Sequence, residues 1–144
     1  MASLSWPGPR RSVESLSARI GREAVVEACL DLLSGREVDG HIVHALGGPP
    51  ARWAVDGGAP GRDYWLRVWA LRGLLWLWDE AAVPALLDAL TDESWRVREI
   101  AAKVAARHAV DDALDALLTL QADPVMRVRG TASRAIRELT RRGG

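Results

Sequence analysis

The sequence predicts an all-α, single-domain protein built of stacked helical hairpins. Three observations predict it. Two long segments repeat at one fixed offset, the mark of a repeat architecture. Within each segment the apolar residues recur three and four apart, the period of a helix with one buried face. The chain is also 49% apolar, with seven Trp, one Tyr and no Phe, which suits a packed core rather than a disordered chain.

The repeat is gap-free. Val83-Pro-Ala-Leu-Leu-Asp-Ala-Leu-Thr-Asp92 aligns with Leu114-Asp-Ala-Leu-Leu-Thr-Leu-Gln-Ala-Asp123, and Trp95-Arg-Val-Arg-Glu-Ile-Ala-Ala-Lys103 with Met126-Arg-Val-Arg-Gly-Thr-Ala-Ser-Arg134, both at an offset of 31 residues. A further step back reaches Tyr64-Trp-Leu-Arg-Val-Trp-Ala-Leu-Arg72. Clear repeats therefore span 79–110 and 111–141, and a degenerate repeat spans 39–78.

Taken in chain order, residues 1–11 contain Pro7, Gly8 and Pro9 and read as a disordered leader. An N-terminal helix covers 12–34. Its clear part is Glu23 to Ser34, with Val25, Val26, Cys29, Leu30 and Leu33 on one side and Gly35 as its stop. Asp39 to Leu46 is a short helix ended by Gly47-Gly48-Pro49-Pro50, and Pro49 to Gly61 is a Gly- and Pro-rich insertion. In each clear repeat, Asp92 or Asp123 closes the turn and caps the second helix. Leu86, Leu87, Leu117 and Leu118 are expected in the core. The total is six or seven helices.

These repeats resemble HEAT repeats, particularly the short bacterial type also found in phycobilin-lyase-like proteins. The resemblance rests on Val83-Pro-Ala-Leu-Leu and on a turn Asp followed six residues later by Arg, as Asp92 and Arg98 and as Asp123 and Arg129. It implies a right-handed α-α superhelix and a hydrogen-bonded ladder of Asp92, Arg98, Asp123 and Arg129 between neighbouring repeats. The second helix of each hairpin then lines the concave face. In the first unit the turn position falls on Gly61, with Asp63 close by.

The formal net charge is zero, with nineteen bases, all but Lys103 being Arg, against nineteen acids. A zero sum argues against a histone-like or tail-type nucleic-acid binder. Yet the charge is sorted. Residues 79–93 hold five acids and no base, and 111–123 hold four acids and no base. Residues 94–110 hold four bases and one acid, and 124–144 hold six bases and one acid. First helices are acidic and second helices basic. The register stacks Trp65 with Arg96 and Arg127, Trp69 with Ile100 and Thr131, and Arg72 with Lys103 and Arg134. A fourth row holds Trp76, Arg107 and Glu138. Two readings stand for Trp65, Trp69 and Trp76: a core or cap covered by helix 23–34, or a displayed binding surface. Exposing them together would leave an aggregation-prone patch.

Catalytic chemistry is not expected, and neither is a cofactor or metal. His41 and His44 are three apart, but no Cys or acidic cluster joins them at ligand spacing. His108 falls on the apolar stripe and reads as a packed core residue. Cys29, the only cysteine, lies on an apolar helix face and reads as an inert thiol in a reducing, cytoplasmic setting. No run approaches a membrane helix.

The expected function is a non-catalytic scaffold. Its binding residues are Trp65, Trp69, Arg72, Arg96, Lys103, Arg127 and Arg134, and its partner is an acidic protein segment. Monomer is the favoured state. Nucleic-acid binding through phosphates on the same face is the alternative. A looser similarity, through Trp65, Trp69, Arg72 and Asp63, is to HEAT-like alkylpurine DNA glycosylases.

Overall fold

The computed structural model describes residues 5–51 and 63–143. These residues hold eight α-helices, and the chain divides into two compact units, Met1–Leu77 and Trp78–Gly144. Most of the insertion expected at 49–61 lies outside the described residues; Pro49–Ala51 forms a single 3-10 turn.

The first unit contains α1 (Pro9–Ile20), α2 (Arg22–Leu33), α3 (Gly40–Gly47) and α4 (Tyr64–Trp76). The expected leader is corrected here: a helix begins at Pro9, where a missing N–H costs nothing at N1. Ser12, Val13 and Leu16 are buried, a stripe too sparse to stand out among serines and arginines. Burial of Ser12 is offset by its hydroxyl, which donates to the Ala45 carbonyl at 2.6 Å. Helix 12–34 is likewise two helices, broken at Gly21, whose φ of 97° is one that L side chains rarely adopt. This break takes the helix count above the expected six or seven. On α2 the buried residues are Val25, Val26, Ala28, Cys29 and Leu32, while Leu30 and Leu33 are half-buried.

Asp39 caps α3 by accepting from the His41 amide at 2.8 Å. Helices α2, α3 and α4 meet at Gly73. A Cβ there would lie 3.0 Å from a Leu46 methyl and 3.1 Å from the Cys29 sulfur. A glycine inside a helix is tolerated where the neighbouring elements approach this closely.

The second unit holds two hairpins, α5 (Val83–Ala89) with α6 (Trp95–Arg107), then α7 (Leu114–Leu120) with α8 (Met126–Gly143). Short 3-10 turns at Glu80–Ala82 and Asp111–Ala113 open α5 and α7. Helices α6 and α8 pack side by side. Their core positions correspond: Val97 with Val128, and Ala101 with Ala132, all buried. The first helices bury Leu86, Ala89 and Leu90, then Leu117 and Leu120.

Two expected core residues are corrected. Leu87 is half-buried and Leu118 is 47% exposed. Each follows a core leucine, and one residue turns about 100° around a helix. Helix α5 is also covered by Asp111–Ala113 of the next repeat.

A partly buried ion pair joins the hairpins. Arg98 donates from Nε to Asp123 Oδ2 at 2.7 Å and from Nη2 to Oδ1 at 3.2 Å, a bidentate fork. Its Nη1 also donates to the Asp92 carbonyl at 2.7 Å, as Arg129 Nη1 does to the Asp123 carbonyl at 2.7 Å. Asp123 Oδ1 accepts from the Val125 amide at 2.9 Å, and Asp92 Oδ1 from the Ser94 amide at 2.9 Å. Burial alone would raise the Asp123 pKa. The Arg98 hydrogen bond, the Val125 amide and the charges of Arg98 and Arg129 outweigh burial and hold it below the ordinary Asp range.

Candidate functional site

Trp65, Trp69 and Arg72 belong to the first unit; Arg96, Lys103, Arg127 and Arg134 belong to the second. The structure treats the two groups differently.

In the second unit the bases stand on α6 and α8. Lys103, Arg127 and Arg134 are exposed and Arg96 is half-buried. At the start of α6 lies Trp95, half-buried, with the Arg96 guanidinium 4.5 Å and the Arg127 guanidinium 5.3 Å from its ring centroid. Both distances are within the reach of a cation–π contact. Arg127 Nε also donates to Glu99 at 3.1 Å, and Arg134 donates to the Thr131 hydroxyl at 3.1 Å. Trp95 was missed in the sequence because its register mate is Met126, which hides an aromatic shared by two arginines. The row of Trp69, Ile100 and Thr131 is corrected: Trp69 and Thr131 are buried and Ile100 half-buried. Neither Trp69 nor Thr131 is displayed at the surface.

In the first unit Trp65 and Trp69 stack, with centroids 6.4 Å apart and planes 28° apart. Trp69 is only 4% exposed. A Cβ on Gly47 would meet its ring at 2.6 Å, so α3 can end against this indole only with glycine there. The neighbouring Gly48, at φ 76°, seats Trp6 in the same way, with a Cβ 2.9 Å from that ring. The Arg10 guanidinium lies 5.2 Å from the Trp76 ring centroid. Contacts thus reach these indoles from α1 and α3, while α2, the helix expected to cover them, also packs along α4.

Arg72 is corrected as a displayed base. Its Nη2 donates to the Leu46 carbonyl at 2.7 Å, its guanidinium lies 5.5 Å from the Trp6 ring centroid, and burial lowers its pKa. It grips the end of α3.

The remaining chemical groups are quiet. His41 and His44 are exposed on α3. His108 is half-buried rather than core, ending α6 with its ring stacked on Trp78 at 4.7 Å and 10°. Burial pushes the Cys29 thiol up to about 12, far from a reactive thiolate. Among the described residues no group of three or more His, Cys, Asp or Glu could hold a metal ion, and no helix is long and apolar enough to cross a membrane.

Stacked hairpins, aligned cores and an Asp–Arg bridge between repeats define an α-helical repeat protein. The family described as HEAT repeats matches residues 59–137, more than half of the chain. The chain belongs to that family, and its fold is that of an all-α helical-repeat solenoid. HEAT repeats are commonly protein-interaction scaffolds and generally non-catalytic. No curated protein and no solved structure matches the chain.

Proposed function

We propose that this chain is a non-catalytic interaction module, working as a cytoplasmic monomer, that binds an acidic protein segment on the basic faces of α6 and α8. The observation that carries the reading is Trp95 flanked by Arg96 and Arg127, on the same two helices as the exposed Lys103 and Arg134. Trp and Arg are the residues that most often dominate binding energy at protein interfaces. The acids of this unit are concentrated on the first helices and their turns, so an acidic partner meets little repulsion on the second helices.

The test is fluorescence anisotropy with a labelled Glu-rich peptide containing one aromatic residue, run beside a labelled DNA duplex at the same salt. The peptide is expected to bind. The pair Lys103→Glu and Arg134→Glu should weaken it by roughly tenfold or more, as repulsive charge at an interface does. Duplex binding tighter than peptide binding, with a steep salt slope, would replace the reading with phosphate recognition. Binding of neither probe at low salt would overturn it.

A further inference from the structure

The first unit holds a cleft of about 440 Å3 lined by Trp6, Trp65, Trp69, Arg72, Pro49 and Pro50. That volume lies within the usual range of small-molecule sites, roughly 300–1,000 Å3. Its walls are flat and apolar: the stacked pair Trp65 and Trp69, the Trp6 indole and two proline rings. Gly47 and Gly48 make room for it, since a side chain at either would push Trp69 or Trp6 from its seat.

Two lining residues carry buried donors, Trp6 Nε1 and Arg72 Nε, that are enclosed and have no hydrogen-bond partner among the described residues. Buried polar groups in folded proteins are almost always satisfied, and one that is not calls for a ligand, a water or an ion. The Arg72 fork is half engaged, because Nη2 is tied to the Leu46 carbonyl while Nε is not. Among the described residues no carboxylate lines the cleft. Desolvation lowers the Arg72 pKa, as expected for a cation partly withdrawn from water.

We infer that this cleft binds a small, flat, apolar carboxylate. Its ring lies against the indoles, and its oxygens accept from Arg72 Nε and Trp6 Nε1. Each alternative ligand fails one feature of the site. A quaternary ammonium would suit an indole cage but is repelled by Arg72. Inorganic phosphate would suit Arg72 but leaves the apolar walls unused. A neutral aromatic would fill the walls and leave the cation unpaired. The site goes beyond the acidic-segment reading: its residues are on the first unit, and its ligand is a small molecule.

Indole-3-acetate is the probe, with indole-3-acetamide and tryptamine as its neutral and cationic counterparts. Binding is read by calorimetry and by the indole N–H resonances of the 15N-labelled full chain. Indole-3-acetate should bind roughly tenfold tighter than the amide, because its bond to the guanidinium is charge-assisted, and tryptamine should bind weakest. The Trp6 N–H resonance should shift on binding. Arg72→Gln should abolish the preference for the acid over the amide. Trp6→Phe, which keeps a ring but deletes a donor that has no partner among the described residues, should weaken the acid alone and keeps the test decisive if Arg72→Gln fails to fold. Equal affinity for acid and amide, or no Trp6 shift at millimolar indole-3-acetate, would overturn the assignment.

Discussion

In the second unit each hairpin restates the other: Val128 sits where Val97 sits, Ala132 where Ala101 sits, and Asp123 closes its own turn while holding the Arg98 of the preceding repeat. The first unit is joined differently. Glycines at 47, 48 and 73 let Trp69, Trp6, Leu46 and Cys29 come closer than any side chain would allow, and the Arg72 fork holds the end of α3. The contrast separates two ways of specifying a core. One distributes packing over equivalent positions, so that the pattern is visible in the sequence as repetition. The other concentrates it in single matched pairs of small and large residues, which leave no periodic trace.

Seven substitutions, in four groups, sharpen or break that contrast. The largest effect belongs to the repeat core. Leu117→Ala should cost about 2–5 kcal/mol, the usual range for a buried leucine, whereas Leu118→Ala, at 47% exposure, should cost less than about 1 kcal/mol. Equal losses in chemical denaturation would show the helix to be rotated. Next, Arg98→Met should cost about 3 kcal/mol, because it leaves the nearly buried Asp123 carboxylate without its fork.

The same pair sets a pH dependence. The folded pKa of Asp123 is held below its unfolded value. Its contribution is therefore complete above the ordinary Asp value of about 3.9 and is lost as pH falls through the lower, folded value. Asp123→Asn should flatten that acid limb in a series of melts below about pH 4. An unchanged acid limb would mean that the pair contributes no linkage.

Third, Gly47→Ala should destabilise by about 1–3 kcal/mol through overpacking against the rigid Trp69 ring. Its opposite number is Gly130 in α8, where a new Cβ would meet only the Arg134 guanidinium at 3.6 Å. Gly130→Ala should stabilise by about 0.5–1 kcal/mol, the helix preference of alanine over glycine. If both substitutions moved the melting temperature in the same direction, the distinction between the units would fail. The smallest effect is expected from Arg127→Gln. Its ion pair with Glu99 is exposed on the Arg127 side and should be worth about 0–1 kcal/mol in stability, while peptide affinity should fall measurably.

The legibility of the chain in sequence follows the same division. The hairpins of 79–141 were readable because two copies corroborate each other. The α1 helix was not, since its large apolar residues are few, Ile20 among them is 42% exposed, and beside Val13 and Leu16 the third buried residue is a serine satisfied by a carbonyl 33 positions away. Register placed Arg72 with Lys103 and Arg134, but register reports position along a helix and not the neighbour across it. The Leu46 carbonyl that captures Arg72 comes from the neighbouring helix α3, which register along α4 does not report. Leu118 failed for a related reason: spacing alone does not say which of two adjacent leucines points inward.

The double duty of Asp123 also governs how such a chain can change in length. Arg98 of the first hairpin reaches forward to Asp123 of the second, and the 31-residue offset of the repeat sets that reach. Duplicating a whole block of that length would repeat the bridge with both partners in place. An insertion of any other length between Arg98 and Asp123 shifts one side of the bridge past the other and strands a charge inside the protein. The number of hairpins is free to drift, while the length of each is held under electrostatic constraint.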